Sequence, residues 1–278
     1  LVHKILEAVW KQVRTSAKLL QLTDQELDQM LADCISTQTR KYYRTSGVKS
    51  GFFEAQSGWL KKLLLEWLDV EKHRRLGFSV VATEAAVTLE LEEMALSLQI
   101  DRIDELEDGS IALIDYKTGN ARPVTNWVGE RPKYPQLALY ALSLYVNSTT
   151  IESRELSALL VGQLRIGNSS HSGFVLGGSF YDDTYSGRKV PALDKTRIDE
   201  DLKTWPAICS HWHSTLGDLA RQFRQGRARV DPVDESACRI CNLHTFCRIA
   251  DQQHDHNHDY DHNHGGHSHG GNNNGVEQ

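Results

Sequence analysis

Two aspartates and a lysine stand where strand geometry would gather them. Asp115 and Lys117, in Ile114-Asp115-Tyr116-Lys117, are two residues apart, so on a strand both point to one face. Asp101, in Leu98-Gln99-Ile100-Asp101, lies on the preceding strand-like segment, and a tight Glu107-Asp108-Gly109-Ser110 turn joins the two. Register across that hairpin can bring Asp101 beside Asp115. Two carboxylates and an ammonium on one patch suit metal-assisted phosphodiester hydrolysis. A Mg²⁺ ion takes about six hard oxygen ligands and keeps several waters. Asp101 and Asp115 would supply two oxygens and the backbone carbonyl of Tyr116 another. The metal would polarise a phosphate and acidify a bound water. Lys117 would orient that water or neutralise charge developing on the phosphate. An Asp-x-Lys pair alone also fits an exposed strand edge. The apolar run Ile111-Ala112-Leu113-Ile114, ending abruptly in charges, favours a site.

A second constellation is Cys238-x2-Cys241-x5-Cys247, three of the five cysteines within ten residues. That spacing points to metal or cluster ligation before disulfides. Zinc and iron–sulfur clusters both want four ligands. His244, inside the loop, could complete a zinc site, and Cys34 is a candidate fourth thiol although it sits in a helical stretch. Cys209 reads as a core residue of a long helix. Three free buried thiols are the structural alternative.

The elements that must position these residues are legible in outline. Residues 1–76 read as helices. Val2, Ile5, Leu6, Val9 and Val13 share one stripe. Thr23-Asp24-Gln25-Glu26 is a capping box opening a helix to about Tyr43. A third helix is expected over about 52–76, carrying Trp59, Leu60, Leu63, Leu64 and Trp67. Strands are expected over 78–82, 85–91, 95–106 and 111–117, then a helix over 134–146 with Pro135 in its first turn. Further strands follow at about 156–166 and 173–179, and a long helix over roughly 195–226. The order is that of an α/β or α+β layout.

Three segments in series carry a resemblance: Asp101-Arg102-Ile103-Asp104, Asp115-Tyr116-Lys117-Thr118-Gly119 eleven positions on from Asp104, and Pro135-Gln136-Leu137-Ala138-Leu139-Tyr140-Ala141. With Leu1-Val2-His3-Lys4-Ile5-Leu6-Glu7 ahead of them, the chain resembles the RecB-type branch of the PD-(D/E)XK nuclease superfamily, closest to AddB-like and "probable DNA repair protein" members. The resemblance covers about residues 1–250. It implies a restriction-endonuclease-like core, a central mixed sheet flanked by helices, with a helical N-terminal part (1–76), a sheet core (77–180) and a C-terminal helix and Cys arm (190–250). It implies His3, Asp101 and Asp115 as ligands of Mg²⁺ or Mn²⁺ and Lys117 as the catalytic lysine. Gln136 and Tyr140, one helical turn apart, would line the site and steady Lys117 or the substrate strand. Glu84 either joins the site or faces solvent from its strand. Arg102 and Asp104 read as a strand-surface pair. Gln99 departs from the pattern, since many relatives carry Gly or Arg there. In AddB-like members a [4Fe–4S] cluster is held by three Cys after the core and one ahead of the His motif; here those would be Cys238, Cys241, Cys247 and a Cys upstream of Leu1. The resemblance also implies DNA as substrate, exonuclease action in double-strand-break repair, and a helicase or helicase-like partner domain or subunit. A non-catalytic DNA-binding or scaffolding module of such a complex is the alternative, against which the complete Asp101, Asp115 and Lys117 set argues.

The totals are compatible with this. The 278 residues are 40% hydrophobic and 24% charged, and no apolar run approaches the ~20 residues of a membrane span. No secretory signal opens the chain, which begins directly in a helical pattern without Met and so reads as part of something longer, placed in the cytoplasm. The net charge of −6 argues weakly against nucleic acid. Five acids and no Lys or Arg fall after Ala250, however, and taking those five away from −6 leaves −1. Residues 251–278 also hold seven of the thirteen histidines amid Asp, Asn and Gly. Such a tract cannot build a core and is expected to be a disordered spacer.

Overall fold

In the computed structural model the structure describes residues 1–43, 50–119, 123–146 and 155–247; the expected spacer at 251–278 lies outside them. Two compact units divide at Gln225 and Gly226. The first opens with helices α1 (Val2–Val13), α2 (Ser16–Gln21), α3 (Asp24–Tyr43) and α4 (Ser50–Lys72), followed by strands β1 (Phe78–Leu91), β2 (Met94–Leu106) and β3 (Ile111–Lys117). Helix α5 (Gln136–Val146) then crosses to β4 (Leu156–Gln163) and β5 (Ser170–Val175), and α6 (Trp205–Arg224) closes the unit.

The sheet is mixed, in the order β1-β2-β3-β4-β5, with only the β3–β4 pair parallel. That one parallel pair is the one joined through a helix, as a parallel connection requires. The two faces of the sheet carry two separate cores. Ala112, Ile114 and Tyr116 pack with Ile5, Trp10, Leu31, Leu64 and Trp67 of α1, α3 and α4. Ile103, Ile111 and Leu113 pack with Leu137, Ala141, Ile208 and Trp212 of α5 and α6. Period-2 alternation along β2 and β3 produces this division.

Local chemistry explains most boundaries. The capping box before α3 forms: the Thr23 N–H donates to Glu26 Oε2 (2.9 Å), and the Glu26 N–H donates to Thr23 Oγ1 (3.3 Å). In the β2–β3 turn Gly109 takes φ +81, and its N–H donates to the Leu106 carbonyl (2.9 Å). Gly162 of β4 leaves room for aromatics, since a Cβ there would stand 2.8 Å from Trp67 and 2.9 Å from Tyr116.

Several expectations shift. The two segments expected at 78–82 and 85–91 are one strand, because β2 offers a continuous partner across the break; the ladder absorbs an irregularity at Val81. The long final helix starts at Trp205, ten residues later than expected, after two short 3₁₀ turns. Pro206 lacks an N–H and is tolerated only in a first turn, which fixes that start. Helix α2 is a short addition, capped by Thr15 Oγ1 accepting from the Lys18 N–H (3.1 Å).

Arg102 and Asp104 are not a strand-surface pair: both are fully buried. They alternate onto the face covered by α1 and α4, where Arg102 lies 3.8 Å from the Trp10 ring centroid. There Arg102 donates to Asp104 (2.6 and 2.7 Å), to Glu71 (2.9 Å) and to the Tyr116 hydroxyl (3.1 Å). Arg74 donates to Asp104 (2.5 Å) and Glu71 (3.2 Å). Two guanidinium and two carboxylate groups thus balance inside the fold, as buried charges must. Among the described residues no helix is long and apolar enough to cross a membrane.

Candidate active site

The β2–β3 register places Arg102 opposite Ile114, so Asp101 and Asp115 stand at the next rung. The two carboxylates differ in surroundings. Asp115 has a side chain 1% exposed, with Oδ2 2.8 Å from Lys117 Nζ. Its Oδ1 is buried with no hydrogen-bond partner among the described residues. Burial pushes this carboxyl up to about 6, against the pull of Lys117 and with the neighbouring Asp101 charge adding to the rise. Asp101 is 13% exposed, and its Oδ2 accepts from the Tyr116 N–H (2.7 Å).

His3 reaches the same corner from the first turn of α1. Its Nε2 is 2.9 Å from the Tyr116 carbonyl, to which it donates, and 3.3 Å from Asp101 Oδ2. The hydrogen bond to Asp101 raises the His3 pKa, with burial opposing. Asp101, the Tyr116 carbonyl and His3 therefore converge, and Asp115 stands at the rung beside Asp101.

A second set of contacts steadies Lys117. Its Nζ donates to Gln136 Oε1 (2.8 Å), and Gln136 Nε2 donates to the Tyr140 hydroxyl (2.6 Å). That hydroxyl donates to the Gln99 carbonyl (2.5 Å). The direction of donation is consistent along the whole chain, which fixes which end of the Gln136 amide faces Lys117. Burial pushes the Tyr140 phenol up to about 12, so it stays a donor. Beyond it the Gln99 side-chain amide donates to Glu84 Oε2, which also accepts from Lys4 Nζ (3.1 Å). Glu84 stands opposite Asp101 with φ +50, a conformation that disfavours side-chain-bearing residues.

The structure thus brings together His3, Asp101, Asp115, the Tyr116 carbonyl, Lys117, Gln136 and Tyr140. Glu84 joins their edge through Gln99 and Lys4, and its side chain is largely covered. A cleft of about 630 Å³ opens here, lined by His3, Lys4, Glu84, Asp101, Gln136 and Tyr140 among others; Asp115 and Lys117 stand outside its lining. Lys4 and Gln99 were not singled out as site residues. Lys4 follows His3 directly, but nothing in the spacing told that its ammonium turns to Glu84.

Among the described residues no three His, Cys, Asp or Glu side chains gather as a metal cage. A magnesium-type site does not need one, because it combines one or two carboxylates with waters and backbone oxygens. The buried unpaired oxygen of Asp115 and the convergence of Asp101 Oδ2 and the Tyr116 carbonyl on one point fit a hard divalent cation, with His3 Nε2 as a further donor.

The cysteine segment belongs to the second unit. Helix α7 (Glu235–Ile240) is capped by Asp234, whose Oδ1 accepts from Ser236 N (2.9 Å), and α8 (His244–Cys247) follows. Cys238, Cys241 and Cys247 are half-exposed rather than buried, and the Leu243 N–H donates to Cys241 Sγ (3.3 Å). They are three thiols where a cluster wants four, and the described residues do not gather them into a ligand group. Cys34 is buried in α3 with its sulfur accepting from Gln12 Nε2 (3.2 Å), and Cys209 is buried in α6 as expected of a core residue.

The sequence profile of the PD-(D/E)XK nuclease superfamily matches residues 1–248. No curated protein is found to be similar to the chain.

Proposed function

The chain belongs to the PD-(D/E)XK nuclease superfamily, with the mixed five-stranded sheet between helices of a restriction-endonuclease-like fold, and from that premise we propose that it is a metal-dependent deoxyribonuclease. The observation that carries the reading is the buried, unpaired Oδ1 of Asp115 at the rung of Asp101, with Lys117 Nζ 2.8 Å from the other oxygen. A buried carboxylate oxygen without a donor is costly unless a cation satisfies it.

Asp101, Asp115 and the Tyr116 carbonyl would hold Mg²⁺ or Mn²⁺, with His3 as a further ligand. When bound, such an ion neutralises charge on a phosphate and lowers the pKa of water. The remaining work falls to the chain's own groups. Lys117, 43% exposed, presents its ammonium where negative charge grows on the scissile phosphate. Gln136 holds that ammonium in place, and Tyr140 holds Gln136. Asp101 accepts from the Tyr116 N–H, which fixes the backbone that carries the carbonyl ligand. Glu84, tied to Lys4 and Gln99, shapes the edge where a strand would enter.

The finer reading is an exonuclease of the RecB-type, AddB-like branch, acting on DNA ends in double-strand-break repair beside a helicase or helicase-like partner, in the cytoplasm. The nuclease unit is taken to span 1–250. Cys238, Cys241 and Cys247 would be three ligands of a [4Fe–4S] cluster with a structural rather than redox role, the fourth lying upstream of Leu1. The proposal is tested by calorimetric titration of Mn²⁺ into the wild type and Asp115→Asn. Saturable binding lost in the variant supports it; equal binding in both removes Asp115 from the metal site.

A further inference from the structure

Beside the cleft, α1 and the edge strand β1 enclose a second, open groove of about 370 Å³. Trp10, Lys11 and Arg14 line one wall and residues 80–83 of β1 the other; among the described residues no acid contributes to the lining. The two hollows share their walls, since Lys4 of α1 and Glu84 of β1 line the cleft. From Lys4 to Arg14 the helix rises about 15 Å, roughly the axial length of four nucleotides in one strand.

Four features mark the groove for a polyanion. Lys11 is 63% exposed, and Lys4, Lys11 and Arg14 together face two carboxylates, the Glu7 that the two lysines share and the Glu84 that Lys4 also meets. Arg14 is exposed at the end of α1 with φ +64, where a glycine would sit without strain; among the described residues its guanidinium donates only to a carbonyl of its own helix, from Nε to Lys11 O (3.4 Å). The indole N–H of Trp10 is buried with no acceptor among the described residues. Val81, at the irregularity in β1, has no rung partner on β2 and is 43% exposed.

We propose that this groove is the track for the sugar–phosphate backbone of the substrate strand, with Lys11 and Arg14 as its phosphate contacts. The inference rests on the nuclease reading for the nature of the strand and adds where that strand runs. Residues Lys11 and Arg14 touch neither the carboxylates nor Lys117, so they bear on binding and not on the bond broken.

The test compares the wild type with the Lys11→Gln/Arg14→Gln double variant, and with Lys195→Glu as a charge control outside both hollows. A fluorescent partial duplex with a single-stranded overhang is titrated in EDTA by anisotropy over a range of salt. The double variant should bind at least about tenfold more weakly, and the slope of log affinity on log salt should fall by about 1.4 to 1.8, the share of two phosphates. Lys195→Glu should change neither. With Mn²⁺ and bis(p-nitrophenyl) phosphate, a single phosphodiester, the double variant should turn over as the wild type does. Unchanged affinity and slope, or a wild type that binds no DNA, overturns the track. DNA binding that follows these expectations in a protein hydrolysing no phosphodiester upholds the track and refutes the nuclease reading instead.

Discussion

Replacing Arg102 by Met tests whether the buried ion network beneath the site is structural. Arg102 makes five hydrogen bonds, two to Asp104, two to Glu71 and one to the Tyr116 hydroxyl. All four charged partners of the network, Glu71, Arg74, Arg102 and Asp104, have side chains no more than 1% exposed. Removing one guanidinium leaves two carboxylates with Arg74 as their remaining guanidinium partner and His171 beside Glu71, and breaking a buried pair in this way costs about 3–5 kcal/mol. For a domain of this size, 1 kcal/mol moves the Tm by about 2–4 °C, so the drop should be roughly 6–20 °C. Acid should act through the same cluster. Burial works to raise the Glu71 pKa, but Arg102, His171 and Arg74 outweigh it and hold the carboxyl well below its usual range. Its stabilisation is therefore present above its unfolded value of about 4.5 and lost as pH falls towards the folded one. Burial also pushes His171 down, so the unfolded chain takes up that proton first, and stability declines as pH falls below about 6.5. Thermal and urea unfolding of the wild type and Arg102→Met between pH 5 and 8 would measure both effects. The wild type should lose stability on acidification; without Arg102 to hold Glu71 and His171 down, less of that loss remains in the variant, so the gap between the two should narrow as pH falls. A loss under about 1 kcal/mol at pH 7.5 would refute the account, since surface substitutions commonly cost that little.

Two further outcomes follow from the site and the arm. Gln136→Ala frees Lys117 from its amide partner and should lower kcat by about 10- to 100-fold with little change in KM, measured by steady-state cleavage of labelled DNA; an unchanged kcat would mean that the Gln136 contact does not position the lysine. If Cys238, Cys241 and Cys247 hold a cluster, Cys241→Ser should remove iron measured by elemental analysis and lower the Tm, whereas identical iron content and melting would mean that the thiols hold nothing.

The residues nearest each other along the chain were the most legible. Asp101 and Asp115 could be paired because an Asp108-Gly109 turn joins adjacent strands, and two-residue periodicity then placed Lys117 on the same side. Gln136 and Tyr140 lie one turn apart on one helix, and their mutual hydrogen bond needs no long-range information. What escaped depends on which helix covers which face. Arg102 and Asp104 obey the same alternation as Asp101, yet it could not tell that α1 and α4 close over their side of β2 with Trp10 and Glu71. The bend of β1 was hidden for a similar reason: the irregularity at Val81 and the positive φ at Glu84 are settled by pairing with β2 and by Lys4 and Gln99, not by local propensity. The superfamily resemblance lay in four short segments and was read over about residues 1–250, and the superfamily profile matches residues 1–248.

The central claim is most directly tested by incubating labelled linear DNA with the wild type and with Lys117→Ala, in Mg²⁺, in Mn²⁺ and in EDTA. The account predicts cutting by the wild type with either metal, none in EDTA, and a loss of about 10²-fold or more in the variant, the scale of removing one donor from a charge-stabilising site. Full activity in a folded Lys117→Ala protein, or no cutting by the folded wild type with either metal, would contradict it.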